Sequence, residues 1–276
     1  SSSAHHVAFT VAGTGIDGVE TPTWRNLTCQ ERNNGELISS HWPGVTTLHE
    51  AFVRGVEAHP HNPCFGVRSV LEDGKSRGED EWEDYKSVLA KVKDLASGLR
   101  RIDCNPGTSI GIFSINRPEW VIAMEACYAQ SLVSVPIYET LGQENVVHIL
   151  NEAEVRAIFC SGDKVEKILR QAPKLEHLRY IIAFECKELP VLSEHEDASS
   201  KVTVLSWEQL LKLGAAMPFA FTSPKPADIA TICYTSGSTS EPKGCILSHF
   251  NLLASVSGSL NSGVTMLPTD VYISYL

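Results

Sequence analysis

An α/β protein with a doubly wound, mostly parallel sheet is predicted by two features of the sequence. Between residues 108 and 184, short apolar runs alternate with single amphipathic segments. Strands separated by single helices close most simply as right-handed crossovers in a parallel sheet. A further apolar run, Ile229–Tyr234, leads directly into a loop of glycine and short hydroxyl residues, "TSGSTSEPKG". At 276 residues the chain can build one large domain or two modest ones.

Residues 1–44 are rich in Gly, Ser and Asn without a sustained period, which predicts an extended lead-in. The stretch "TTLHEAFVRGVEAHP" sets Leu48, Ala51, Phe52 and Val56 on one helical face and ends at Pro60. A short strand is expected in "CFGVRSV", then a solvated charged turn through "EDGKSRGEDEWED". Over residues 85–101, Val88, Val92, Leu95, Ala96 and Leu99 form one apolar stripe of a helix. The alternation that follows predicts strand "TSIGIFS", helix "RPEWVIAMEACYAQ" with Pro118 in its first turn, strand "LVSVPIY" and helix "GQENVVHILNEAE". Strand "VRAIFCS", helix "DKVEKILRQA" and strand "LRYIIAF" complete it. Residues 185–206, with the acidic "SEHEDASS", read as a surface loop, and "SWEQLLKLG" as a short helix. Two prolines in "FTSPKPAD" open a new unit, in which Ile229–Tyr234 and Cys245–Leu247 are strands and Ser248 caps a helix from His249. The expected organisation is a lead-in over 1–44, a first α/β unit over 45–222 and the start of a second over 223–276.

Composition excludes several classes. Net charge is −10, which argues against nucleic acid as the main partner, because a phosphate backbone rewards surplus Lys and Arg. No stretch approaches 18 uninterrupted apolar residues, the length a transmembrane helix needs. The opening "SSSAHHVAFT" lacks a Met, a basic flank and a long apolar core, so it does not read as a secretory signal. The alternation in the final "DVYISYL" stops without a turn signal, and the whole reads as a fragment. Eight cysteines are spread without a C-x-x-C pair, which suits reduced core thiols rather than a disulfide framework or a metal site. "NLT" at Asn26 matches a glycosylation acceptor that nothing else in the sequence supports.

"GTGIDG" at Gly13, Gly15 and Gly18 spells a dinucleotide fingerprint, but Pro22 and the absence of a helical stripe after it deny the strand–turn–helix setting that motif needs. The histidines of the first quarter lack a supporting carboxylate pattern, so they read as ordinary residues. The loop after Tyr234 differs from both. A Gly-rich turn after a strand presents backbone N–H groups, short hydroxyls add donors, and Lys243 brings a mobile positive charge, which together suit phosphate oxygens. Its spacing mimics a Walker loop, yet Pro242 stands where that loop needs glycine and Gly244 where it needs a magnesium-ligating hydroxyl. Phosphate binding survives; the Walker assignment does not.

"YTSGSTSEPKG" followed by "ILSH" resembles the signature loop of the adenylate-forming superfamily, roughly Tyr-Thr-Ser-Gly-(Ser/Thr)-Thr-Gly-x-Pro-Lys-Gly. Upstream, "NRPEW" and "VPIYETLG" are similar to the eukaryotic long-chain acyl-CoA synthetases. The resemblance implies ligation of a long-chain fatty acid to coenzyme A with ATP and Mg²⁺, through an acyl-adenylate. It further implies that Thr235, Ser236, Gly237, Ser238, Thr239, Lys243 and Gly244 cradle the ATP phosphates. Ser240 replaces the usual glycine of the signature, where a non-glycine residue at positive φ costs about 1–2 kcal/mol. The adenine site, the magnesium-holding acid and the mobile C-terminal domain with its catalytic lysine fall downstream of Leu276 in the family, so catalysis is not expected from these residues alone. The family implies a cytoplasmic-face setting at endoplasmic reticulum, peroxisome or lipid droplet, with peripheral membrane association. The competing expectation is a non-catalytic remnant that keeps the fold and weak phosphate binding. Asn116, Trp120, Tyr234 and His249 read as packing residues.

Overall fold

The computed structural model describes residues 8–11, 24–26, 36–70, 77–185, 202–235, 241–261 and 266–274. The Gly13–Gly18 turn, most of the acidic loop after 185, and loop residues Ser236 to Ser240 lie outside them. Two compact units emerge, one of Ser1–Val45 with Leu253–Met266, the other of Thr46–Leu252 with Leu267–Leu276. In the first, β1 (Ala8–Thr10) pairs antiparallel with β2 (Trp24–Asn26), and the His41 amide donates to Ser257 Oγ at 2.8 Å.

The second unit holds a seven-stranded sheet. Its strands are β5 (Ser109–Phe113), β6 (Val133–Ile137), β7 (Ala157–Cys160), β8 (Tyr180–Ala183), β9 (Thr203–Ser206), β10 (Ile229–Thr235) and β11 (Lys243–Ser248). They lie in the order β11-β10-β6-β5-β7-β8-β9, all neighbours parallel except the β10–β11 pair. The doubly wound, mostly parallel sheet is as expected, and it continues across the boundary anticipated at residue 223. The helices are α1 (Leu48–Ala58), α2 (Tyr85–Arg101), α3 (Pro118–Ala129), α4 (Gln143–Glu152), α5 (Gly162–Leu169) and α6 (Trp207–Ala216), with α7 (His249–Asn261) following β11 and belonging from Leu253 onward to the first unit.

Successive strand residues feed different cores, because side chains alternate across a sheet. Ile110, Ile112, Ala157, Phe159 and Ile182 join the core under α2 and α3, whereas Phe113, Ile158, Cys160, Ile181 and Ala183 join the one under α4 and α5. Burial on both faces explains why these strands read as continuous apolar runs. The stripe on α2 is buried as expected: Val88, Val92, Leu95, Ala96 and Leu99 are each fully enclosed. Close approach of α2 and α6 depends on Gly98 and Gly214, where an added Cβ would lie 2.5 Å from Leu210 O and 1.7 Å from Asp94 O.

Three expectations are corrected. The charged segment taken as a solvated turn contains β4 (Arg77–Asp84), which pairs antiparallel with β3 (Pro63–Val70) in a two-stranded ribbon. Such a ribbon has solvent on much of its surface, so charged residues are no bar, and the Trp82 ring covers Gly66. Part of the expected surface loop before 206 is β9, a short edge strand whose last residue, Ser206, caps α6: its hydroxyl accepts from the Gln209 amide at 3.1 Å, and Gln209 Oε1 accepts from the Ser206 amide at 2.8 Å. On α1, His49 rather than Leu48 is buried, edge-on to Phe221 with ring centroids 4.8 Å apart.

Phe159 stacks on Phe184 at 5.8 Å and meets Trp207 edge-on at 5.9 Å, in a fully buried position. Phe159→Ala is expected to cost about 3–5 kcal/mol, read as a fall in urea midpoint at unchanged slope. A loss below about 1 kcal/mol would show that this cluster does not anchor the α3 side of the sheet.

Candidate functional site

The loop of interest joins β10 to β11, so the hydroxyl- and glycine-rich stretch connects two antiparallel strands. Thr235 and Lys243 face each other in register, as do Tyr234 and Gly244. Both Thr235 and Lys243 are exposed, and no ion pair to Lys243 exists among the described residues. An exposed hydroxyl and an unpaired ammonium at the two feet of one loop suit an anion with several oxygens. Of the expected phosphate-binding residues, Thr235, Lys243 and Gly244 are thus brought together, and Ser236, Gly237, Ser238 and Thr239 lie outside the described residues. Strand β11 begins two residues earlier than the sequence suggested, with Lys243 as its first member.

The feet of the loop are held from both sides. On the sheet side, the Thr231 hydroxyl donates to Ser134 O at 2.9 Å and the Ser134 hydroxyl to Ala230 O at 3.2 Å, buried bonds that fasten β10 to β6. On the other side, α4 supplies two residues that the sequence gave no reason to single out. His148 Nε2 donates to the Pro242 carbonyl at 3.2 Å and lies 3.6 Å from Glu152 Oε2. Burial, with the neighbouring Glu152 carboxylate, pushes the Tyr234 phenol well above its ordinary range. The signal available in advance was a His and a Glu four residues apart on one helix, a common surface pattern with no address attached. Tyr234 is 3% exposed, in keeping with its expected packing role. Gly244 is needed for that packing, since an added Cβ would lie 2.8 Å from Ile232 Cγ2 and 3.1 Å from Tyr234 Cζ.

Helix α7 starts where β11 ends. The Ser248 hydroxyl accepts from the Asn251 amide at 3.2 Å and Asn251 Oδ1 accepts from the Ser248 amide at 3.1 Å, the reciprocal cap expected of Ser248. His249 is fully buried, edge-on to Tyr128 at 5.1 Å, and its Nδ1 accepts from the Leu48 amide at 3.4 Å. Its Nε2 is buried without a hydrogen-bond partner. Burial pushes its pKa down to about 4 and also lowers that of His49. The packing role expected of His249 therefore stands, as a neutral imidazole. Asn116 is exposed and donates to Ser274 Oγ at 3.0 Å, and Trp120 is half-buried against the α2–α3 core. Elsewhere on α3, Glu125 Oε2 is buried without a partner, and burial pushes that carboxyl up to about 8.

These two groups bound stability at opposite ends of the pH scale. The unfolded chain protonates His249 near 6.5 and the folded chain only near 4, so its contribution is intact above 6.5 and lost as pH falls through 4. Glu125 is the mirror case: its contribution is intact below 4.5 and lost as pH rises through about 8. Because the two contributions oppose each other between about 4.5 and 6.5, urea denaturation should show a plateau there, with an acid-side loss that His249→Gln reduces and an alkaline-side loss up to about 8 that Glu125→Gln removes. An acid limb unchanged in His249→Gln would refute the buried neutral imidazole.

The AMP-binding enzyme family model matches residues 52–276. Long chain acyl-CoA synthetase 7, peroxisomal, of Arabidopsis thaliana is 38% identical over 94% of this chain and 36% of its own length. Long chain acyl-CoA synthetase 6, peroxisomal, of the same plant is 41% identical over 85% of this chain and 33% of its own. The chain thus spans about a third of the curated relatives it matches. Among solved structures, the adenylation domain of a carboxylate reductase from Mycobacterium chelonae superposes with a TM-score of 0.68 at 20% identity, over 79% of this chain and 36% of that one, a likeness of fold. With a family model matched from the first α-helix to the last residue, the chain belongs to the AMP-binding enzyme family.

Proposed function

We propose that this chain is the phosphate-loop-bearing part of an ATP-dependent long-chain fatty acid–CoA ligase, which converts fatty acid, ATP and CoA to acyl-CoA, AMP and diphosphate through an acyl-adenylate. One observation carries the reading: the hairpin sets Thr235 and Lys243 opposite each other, both exposed, at the two ends of the family's loop. The relatives' names support the choice of long-chain acyl substrate. A remnant that keeps only the fold is not favoured, since similarity to these synthetases runs along 94% of the chain.

In this reading the Thr235 hydroxyl and the loop from Ser236 to Thr239 donate to the outer phosphate oxygens, and Lys243 offsets their charge as the carboxylate approaches. Gly244 acts one step removed, by letting Tyr234 pack beneath the loop. Mg²⁺, when bound, would supply the remaining charge compensation between two anionic reactants. A second subdomain starting at 223 and a setting on the cytoplasmic face of an organelle, with the peroxisome suggested by the relatives' names, belong to the same proposal. So does peripheral membrane association. No helix among the described residues is long and apolar enough to cross a membrane.

Lys243→Ala, placed in the polypeptide carried to the full length of its relatives, should lower palmitate-dependent ATP–pyrophosphate exchange by about two to three orders of magnitude. Because Lys243 is exposed, stability should change by no more than about 0.5 kcal/mol. An unchanged exchange rate would refute the assignment. Ser240→Gly in the same polypeptide should tighten ATP binding by about five- to thirty-fold if the loop needs positive φ there. No gain would mean that the loop accepts serine without strain.

A further inference from the structure

Away from the β10–β11 loop, a cavity of about 230 Å³ opens between α4 and α5. Its walls are apolar: Phe113 at the end of β5, Leu141 after β6, Val147 and Leu150 on α4, and Ile168 on α5. Its polar lining comprises Gln143, Gln171, Glu139, Lys164 and Lys167. Glu139 is occupied by Lys164, which it meets at 2.6 Å, and Lys164 is held again by Asp163 at 2.8 Å. Lys167 has no ion-pair partner among the described residues, so it is the cation of the lining that is free to meet a ligand, although Asp163 beside Lys164 balances its charge overall.

The position in the fold is a second, independent observation. Chain order runs from β5 to β6 on one side and then to β7 on the other side of β5. The cavity is lined by Phe113, the last residue of β5, by the segment after β6 and by the helix after β7. It therefore runs between α4 and α5 and reaches the carboxyl end of β5, beside the point where the winding reverses and open α/β sheets leave a crevice for ligands.

We propose that this cavity is a binding site for a small amphipathic monocarboxylate, separate from the phosphate loop. An apolar cavity of about 150 Å³ accommodates benzene, so this one takes roughly nine or ten non-hydrogen atoms, the size of an eight-carbon fatty acid. The hydrocarbon lies against Phe113, Val147, Leu150 and Ile168, and the carboxylate meets Lys167 and the side-chain amide of Gln171, four residues on. A sixteen-carbon chain is too large to be enclosed, so the site selects a shorter acid than the long-chain substrate proposed above.

Octanoate titrated into the 276-residue chain by calorimetry tests this, with 1-octanol as the uncharged control. Saturable one-to-one binding is expected below about 10 mM, weaker for octanol. Lys167→Met should weaken octanoate about tenfold and leave octanol unchanged, and Val147→Phe, which fills the cavity, should abolish both. Thermal midpoints of the two variants verify that each is folded. Lys243→Ala should leave octanoate binding intact, which separates this site from the phosphate loop. The absence of saturable binding below about 10 mM, or binding indifferent to both Lys167→Met and Val147→Phe, overturns the proposal.

Discussion

The constraint on which the rest of this structure depends is burial of one parallel sheet on both faces. Each residue of β5 and β7 belongs to a particular core, Ile112 and Phe159 to one and Phe113 and Ile158 to the other. A one-residue slip would exchange every side chain between cores of different shape, so register is fixed by packing rather than by any single bond. That rigidity passes outward. β6 is fixed against β5 over five residue pairs, and β10 is fixed to β6 by the paired hydroxyls of Ser134 and Thr231. The loop after Thr235 thereby starts from a defined point on a stiff frame.

Helix α4 connects two parts of the molecule that look unrelated in sequence. Val146 and Leu150 pack into the core beneath it, while His148 and Glu152 turn to the hairpin. Through His148 the helix holds the carbonyl immediately before Lys243, and its Glu152 carboxylate neighbours the Tyr234 phenol, which packs under Gly244. On the proposed reading of the loop as a phosphate site, fixed feet let the ordering cost be met in folding rather than in binding. His249 extends the same frame from the far end of β11, at the cost of a buried imidazole that must stay neutral.

Much of this was legible in advance. The apolar runs of β5, β7 and β8, the α2 stripe, Pro118 in the first turn of α3 and the Ser248 cap follow from local rules of period and capping, which need no knowledge of neighbours. β4 was not, because a two-stranded ribbon tolerates charge on both faces and its partner, β3, supplies the missing reason to be extended. β9 was not, because four edge residues behind an acidic stretch carry too weak a pattern to stand out. His49 was not, because its burial depends on Phe221, more than 170 positions away.

The candidate site divides in the same way. By itself the sequence determined the loop's chemistry: hydroxyls and glycines after a strand, a lysine nine positions past Tyr234, and a proline that rules out a Walker loop. Residue type and spacing suffice for that, because phosphate recognition rests on donors carried by consecutive residues. Only the tertiary structure decided that Thr235 and Lys243 face each other, that His148 and Glu152 brace them, and that Glu125 and His249 are buried uncharged. Those features depend on which distant residues share a space, and in this chain that is settled by the two-sided packing of the sheet, which no local pattern encodes.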